Sequence, residues 1–329
     1  KMSVKPASSL FPELIEMVYT VIILIQEVMT MILSVSRRTD IPRYYSEWFY
    51  NRIKKGFCFV KNPMNPRQIS RIDLSPDAVD CLVFWSRDPG PMLERLDELS
   101  SYSYYFQFTM TGYGKDVEPG APPANEALTT FKKLSMRTGS HRVIWRYDPI
   151  MFTERYTPEY HLHAFSRLAA GLSGYTKRCV ISFVDEYAKN KKALKAISSY
   201  LPGQSQLMEF AKKISSAAEK SGITVNSCAE AIDLSSCGIE HGSCIDRHLT
   251  ETIIGHPLDL KKDTRQRAYC GCMESIDIGT YDTCPCGCVY CYTSGTAGKV
   301  AAKLRIYDAS SPLLCGELGP EDKIRDRRQ

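Results

Sequence analysis

Four cysteines occupy the segment CPCGCVYCY, residues 284–292, near the end of a 329-residue chain. Cys284, Cys288 and Cys291 have the spacing Cys-x3-Cys-x2-Cys, and Cys286 lies inside the first gap. Thiolates this close together are suited to a soft metal centre, either an iron–sulfur cluster or zinc. Three of them on a tight loop can bind three irons of a [4Fe–4S] cubane and leave the fourth iron open. The spacing favours iron–sulfur, because structural zinc sites usually use two paired spacings, and Cys286 is interpreted as a bystander.

Other cysteines cluster upstream of this loop. Six of the 13 cysteines of the chain lie between Cys270 and Cys291. Disulfide frameworks belong mainly to small secreted domains, so this large chain is predicted to carry reduced thiols in the cytoplasm. The upstream thiols predict further metal ligands, either in an auxiliary cluster or in a zinc site that joins the Cys-x-Cys pair to the later group. The candidate ligands upstream are Cys228, Cys237, Cys244, Cys270 and Cys272.

Charge and hydropathy limit the classes of partner that the protein is expected to bind. The net charge is +5, and no dense block of Lys and Arg is present, so a small molecule is favoured over nucleic acid as the substrate. The apolar run at residues 17–25 is too short to span a bilayer, so no membrane is expected. Residues 1–30 are predicted to be a non-native or poorly ordered leader, with the natural start near Met31.

The central part of the chain alternates short apolar strands with amphipathic helices. The predicted strands are 32–38, 56–63, 79–89, 104–114, 142–150, 179–187 and 222–230. The predicted helices include 46–55, 125–138, 158–172 and 206–221. This alternation predicts an α/β fold with a parallel sheet. Seven strands favour a TIM-like (β/α) barrel, complete or partial; a doubly wound sheet is the alternative, although no glycine-rich fingerprint follows the first strand.

Three segments are predicted along the chain. Residues 31–230 form the barrel, residues 231–315 form a cysteine-rich iron–sulfur region packed on it, and residues 316–329 form a flexible tail. The tail is charged and weakly hydrophobic, which is typical of a segment that does not pack.

Charged residues follow most of the predicted strands. The carboxyl ends of parallel strands carry the active site in α/β folds, so these residues are predicted to face a common pocket. Arg146 and Asp148 share one face of their strand and are expected to pair, either as a structural contact or as a substrate clamp. The catalytic candidates are Arg37, Arg38, Asp40, Arg146 and Asp148.

Alternation along the fourth strand indicates which way its faces point. Its polar residues share one face, and its apolar residues share the other. A polar face on a buried strand needs partners, which a barrel lumen supplies. The polar face consists of Tyr105, Gln107, Thr109 and Thr111.

Longer blocks resemble a known family. They include SVSRRTDIPRYYSEWF, FWSRDPGPML, VIWRYDPI, CAEAIDLSSCGIEHGSCID and CGCMESIDIGTYDTCPCGCVYCY. These resemble the uncharacterised prokaryotic family catalogued as domain of unknown function 1848, over nearly the whole chain from about Met31 to about Leu314. The cysteine motif at its C-terminal end resembles the one near the N-terminus of radical S-adenosylmethionine domains.

The resemblance implies an iron–sulfur enzyme that uses a [4Fe–4S] cluster to cleave S-adenosyl-L-methionine reductively. Tyr290 would pack near the adenine, and Glu230 would replace the missing Gly-Gly-Glu segment that binds the amine. An electron donor such as ferredoxin or flavodoxin is implied, together with a small-molecule substrate. The usual cluster loop follows the first strand; here it follows the last predicted strand, which a closed ring could bring to the same place.

Two other classes of function stay open at this point. The chain could be a non-catalytic iron–sulfur or zinc protein, for electron transfer or structure. It could instead be a barrel hydrolase or isomerase that uses Asp40, Asp148 or Asp185 and holds a structural zinc. A resemblance to DNA-repair lyases is disfavoured by the absence of a basic stripe.

Overall fold

The computed structural model describes residues 31–327. Its main sheet has eight strands, and every neighbouring pair in it is parallel. The strands are β1 (Ile32–Val35), β4 (Cys81–Ser86), β5 (Tyr104–Thr109), β6 (Val143–Ile150), β7 (Arg178–Phe183), β8 (Thr224–Cys228), β9 (Glu240–Gly242) and β10 (Ile276–Asp277).

The strand order is β10-β1-β4-β5-β6-β7-β8-β9. The strands therefore follow chain order across the sheet, except that β10 returns to pair with β1. Among the strand pairs of residues 31–327, none joins β9 to β10. The predicted parallel α/β fold is confirmed, whereas the closure of a barrel is not shown.

Helices flank the sheet in the pattern that the sequence predicts. The α-helices are α1 (Ile41–Tyr44), α2 (Ser46–Lys55), α3 (Ala124–Thr138), α4 (Pro158–Leu172), α5 (Lys191–Ala196), α6 (Gln204–Glu219), α7 (Arg247–Ile254) and α8 (Ala297–Arg305). A 3-10 helix, Gly90–Leu99, follows β4. The predicted bounds of α2 and α4 are confirmed. They could be predicted because both helices have clear periodicity and defined ends, including a Thr157 cap on α4.

The two faces of the sheet pack against different parts of the chain. On the outer face, Phe108 of β5 contacts Phe131 of α3, and Trp145 of β6 stacks on Phe165 of α4 with ring centroids 4.7 Å apart. The inner face is a second apolar cluster that includes residues of β1, β4, β5, β6 and β7 together with residues 244–273. The cysteine-rich region thus covers the inside of the sheet.

A small second sheet corrects one expectation and includes part of the C-terminal segment. The predicted strand at residues 56–63 exists as β2 (Phe57–Lys61), but it pairs with β3 (Gln68–Asp73) rather than with the main sheet. Part of the predicted flexible tail forms β11 (Lys323–Asp326), which pairs with β3 in parallel. Short β2 carries the same alternating signal as a main-sheet strand, so sequence alone does not assign it to a sheet.

The cysteine-rich region is also part of the main sheet. Residues 231–315 contribute β9 and β10 to it. The leader predicted at residues 1–30 lies outside the described residues. Within residues 31–327, no helix is long and apolar enough to cross a membrane.

Candidate functional site: a cysteine-lined cavity

A cavity of about 440 Å³ opens where the strands of the main sheet end. Residues at or just after the carboxyl ends of β1, β4, β5, β6, β7 and β8 line it. Eight cysteines line the cavity, one at the end of β8 and seven from the cysteine-rich region: Cys228, Cys244, Cys270, Cys272, Cys284, Cys286, Cys288 and Cys291. The predicted pocket at the strand ends therefore exists, and both groups of cysteines face it.

The loop that carries the Cys-x3-Cys-x2-Cys motif is held by short-range contacts. The backbone N–H of Cys291 donates to the carbonyl of Cys288 at 3.1 Å, and Gly287 has a φ of +73°, a conformation that favours glycine. The N–H of Gly120 donates to the carbonyl of Cys286 at 2.8 Å. A Cβ on Gly120 would lie 2.6 Å from that carbonyl oxygen, so only glycine fits against the loop.

Tyr290, the aromatic residue before Cys291, is anchored by a buried charged pair. Its hydroxyl donates to Oε1 of Glu118 and accepts from Nη2 of Arg87. Arg87 Nη1 lies 2.9 Å from Glu118 Oε2, and Thr111 donates to Glu118 at 2.7 Å. Glu118 is 3% exposed and Tyr290 8%. Since every member has partners, the network fixes the end of the loop firmly.

The pairing of β10 with β1 explains how a late loop reaches this site. Ser34 and Asp277 are register partners, so the chain leaving β10 emerges beside the chain leaving β1. The carboxylate of Asp277 accepts hydrogen bonds from the Ser34 hydroxyl at 2.8 Å, the Ser36 hydroxyl at 2.5 Å and the Arg37 N–H at 2.8 Å. The chain that leads to the loop of residues 284–291 thus starts beside the end of the first strand.

Arg146 and Asp148 form the ion pair that their shared strand face predicts. Arg146 Nε donates to Asp148 Oδ2 at 3.0 Å, and Ser182 donates to the other carboxylate oxygen. Arg146 also donates to the sulfur of Cys244 at 2.8 Å and to Gln107 at 3.3 Å. Arg146 therefore links the cavity wall to the upstream cysteines.

The upstream cysteines split into a group of four and one outlier. Cys228 and Cys244 have their sulfurs 3.2 Å apart. Hydrogen bonds from Cys228 and Cys272 lower the pKa of the Cys244 thiol, despite its burial. A hydrogen bond from Cys272 likewise lowers the pKa of Cys270 to about 6. Cys237 lies elsewhere, with its sulfur 3.4 Å from the carbonyl oxygen of Met208 on α6, and the structure does not bring it to the cavity.

The remaining predicted site residues differ in their positions. Arg37 and Asp40 line the cavity, whereas Arg38 and Glu230 are not among its lining residues. Asp40 caps α1 and accepts from Ser86 at 2.7 Å and from the Arg87 N–H at 2.8 Å. Burial raises its pKa to about 6, against the lowering effect of those hydrogen bonds.

Glu230 and Arg38 make contacts outside the cavity lining. The carboxylate of Glu230 accepts from the Phe183 N–H at 2.9 Å, and burial raises its pKa to about 7. Arg38 donates to the carbonyl of Gly279 at 3.3 Å and lies over the ring of Tyr281. Both residues therefore support loops next to the site.

Several residues of the site carry no sequence signal of their own. Glu118 and Gly120 lie in the connection before α3, and they contact a loop about 170 residues away. Arg265 and Arg267 line the cavity from the segment before Cys270. Asp277 sits in a strand of two residues.

The thiols do not form a ready-made ligand shell. Among residues 31–327, no group of three or more His, Cys, Asp or Glu side chains has the arrangement of a metal ligand set. Burial raises the pKa of Cys284 to about 12. Cys288 and Cys286 have sulfurs 3.6 Å apart, and their contact lowers the pKa of Cys286. The donor set is nevertheless soft sulfur throughout, which suits iron–sulfur clusters and zinc.

Fold and cavity together define a parallel α/β protein with a thiol-lined cavity at the carboxyl edge of its sheet. The chain matches the family described as "Domain of unknown function (DUF1848)" over residues 32–293, and it belongs to that family. A search of curated proteins found no match to this chain.

Proposed function

We propose that this protein is an iron–sulfur enzyme of radical S-adenosylmethionine type, built on an incomplete TIM-like barrel, with its substrate in the cysteine-lined cavity. Cys284, Cys288 and Cys291 hold a [4Fe–4S] cluster that has one open iron. When bound, the cluster supplies the electron that cleaves S-adenosyl-L-methionine reductively. The substrate is a small molecule, and a protein such as ferredoxin or flavodoxin delivers the electron.

The observation that carries this proposal is the shared position of three cysteines. Cys284, Cys288 and Cys291 all line one cavity with the residues at the strand ends. The loop also adjoins the end of β1 through the β10–β1 pairing, which matches the position of the cluster loop in the usual strand order. A volume of about 440 Å³ is adequate for a small ligand.

The remaining polar residues have binding and positioning roles in this proposal. The backbone N–H of Arg37 donates to the Asp277 carboxylate at 2.8 Å. Arg37 also lines the cavity, where its guanidinium suits the carboxylate of a bound ligand. Arg146, paired with Asp148, forms a rigid wall. Tyr290 lines the cavity while its hydroxyl is held by Glu118 and Arg87, and in this proposal the adenine packs next to it.

The hydrolase alternative has weaker support. Asp148 is bonded to Arg146 and Ser182, Asp185 is bonded to Arg267, and Asp40 caps a helix. A carboxylate that acts as a general base needs a free path to its substrate proton, and these three are engaged with protein partners.

A turnover assay tests the proposal. The anaerobically reconstituted full chain, given a chemical reductant and S-adenosylmethionine, is expected to form 5′-deoxyadenosine and methionine. Cys288→Ala is expected to abolish both products. Cys315→Ala is the matched control, because Cys315 is buried in the outer core, away from the cavity. Iron binding without either product would favour an electron-transfer protein instead.

A further inference from the structure

Four upstream cysteines, Cys228, Cys244, Cys270 and Cys272, lie on chain segments that contact one another. Cys228 ends β8, and its register partner on β9 is Gly242. Cys244 follows two residues later, which brings its sulfur to 3.2 Å from that of Cys228. Parallel pairing of two strand ends thus creates the first sulfur pair.

Backbone contacts bring the turn at residues 270–272 beside this pair. The N–H of Met273 donates to the carbonyl of Ile245 at 3.1 Å, and the N–H of Ile245 donates to the sulfur of Cys272 at 3.4 Å. These bonds hold the two segments side by side through the main chain. The four thiols are 2–6% exposed, so they are enclosed by protein.

We propose that Cys228, Cys244, Cys270 and Cys272 form a second metal centre, a four-thiolate site for a single tetrahedral ion of the zinc class. Zinc–thiolate bonds of about 2.3 Å imply sulfur–sulfur edges of about 3.8 Å in a tetrahedron. The 3.2 Å contact between Cys228 and Cys244 is close to that edge. A cubane has four irons between its thiolates and needs the sulfurs farther apart.

The surroundings of the four thiols suit a negatively charged centre. Four thiolates and one divalent ion carry a net negative charge, which is costly in a buried position without compensation. Arg146 donates to the Cys244 sulfur at 2.8 Å, and Arg37 and Arg267 line the same cavity. Such donors to ligand sulfurs orient the ligands and stabilise their charge.

Binding of the metal ion requires a local change in the positions of the thiol side chains. No three of these side chains enclose a common point in the described structure, so the thiols must turn toward the ion. The three backbone segments that carry the thiols are already in contact, so the proposed change is a rotation of side chains. None of the four proposed zinc ligands lies in the loop of residues 284–291. The proposal of a zinc centre is therefore independent of the proposed enzyme activity.

Metal analysis of the full chain, purified anaerobically, tests this centre. We expect one zinc per chain in the wild-type protein and in the Cys284→Ala, Cys288→Ala and Cys291→Ala variants. Cys244→Ser is expected to lose most of that zinc. Cys237→Ser is the matched control and is expected to keep it, because Cys237 is equally buried but packs against Met208. Equal zinc in Cys244→Ser and wild type would overturn the proposal.

X-ray absorption at the zinc edge of the wild-type protein gives an answer that does not depend on any variant folding. Four sulfur neighbours at about 2.3 Å are expected. Nitrogen or oxygen in the first shell, or no zinc at all, would overturn the assignment. Four additional irons that Cys244→Ser removes would identify an iron–sulfur cluster in its place.

Discussion

The backbone N–H of Gly120 donates to the carbonyl oxygen of Cys286, with 2.8 Å between nitrogen and oxygen. This contact joins the connection before α3 to the middle of the loop of residues 284–291, which holds the proposed cluster. A Cβ at position 120 would lie 2.7 Å from the Cα of Cys286, and backbone atoms cannot move aside as a flexible side chain can.

Gly120→Ala is therefore expected to displace the cluster loop. Overpacking of this kind costs about 1–3 kcal/mol, and iron retained after reconstitution should fall with it. Gly298→Ala is the control, because a Cβ on Gly298 in α8 would meet no atom within 4 Å. Urea unfolding and iron determination give both readings. Unchanged iron and stability in Gly120→Ala would contradict this account of the loop.

Tyr290→Phe tests the anchor of the last cysteine. The substitution removes the hydroxyl between Glu118 and Arg87 and leaves part of a buried charged network unsatisfied. A loss of about 1.5–3 kcal/mol in the free energy of unfolding is expected. Tyr269→Phe, at a ring that is 56% exposed, should change it little. Equal effects of the two substitutions would show that the buried network does not stabilise the loop.

A buried histidine predicts how stability depends on pH. His161 is fully buried; its Nε2–H donates to the Met151 carbonyl at 3.0 Å, and its Nδ1 accepts from Tyr147 at 2.9 Å. Burial lowers the pKa of His161 to about 4. Between about pH 6.5 and 4 the unfolded chain takes up a proton that the folded chain does not, so folding is destabilised as the pH falls.

The difference between wild type and His161→Gln isolates this contribution. The stability advantage of the wild type is expected to grow as the pH rises from about 4 to about 6.5 and then level off. His163→Gln, at an exposed position on the same helix, should keep the wild-type pH profile. Urea titrations at several pH values provide the comparison. A pH-independent difference for His161→Gln would contradict the neutral buried imidazole.

Substitution of Cys286 tests whether this residue is a ligand of the proposed cluster or a bystander. Its sulfur lies 3.6 Å from that of Cys288, so proximity alone does not decide its role. In the proposed cluster, Cys286→Ala is expected to retain the iron of the reconstituted protein, whereas Cys284→Ala is expected to lose it. A loss comparable to one iron in four in Cys286→Ala would make Cys286 a ligand.

Strong local patterns account for what could be predicted from the sequence. Alternation along β5 predicts an inner polar face, and the hydroxyl of Tyr105 and the amide of Gln107 both donate to the carbonyl of Cys244 inside the sheet. The Arg146–Asp148 pair follows from the same period of two. Helices of 10 to 16 residues, such as α2 and α6, carry enough turns to be recognised.

The elements that could not be predicted are short or depend on distant contacts. β10 has two residues and β9 has three, too few for an alternating pattern, yet β10 pairs with β1 and leads to the loop of residues 284–291. Glu118 contacts Tyr290 across 172 positions. Five upstream cysteines look alike in the sequence, and only the fold separates Cys237 from the other four.

The most direct test of the central claim is electron paramagnetic resonance of the anaerobically reconstituted, reduced protein with and without S-adenosylmethionine. The account predicts the signal of a reduced [4Fe–4S] cluster whose shape changes when S-adenosylmethionine is added, because the open iron gains ligands. A cluster signal indifferent to the addition, or a protein that binds zinc but no iron, would contradict it.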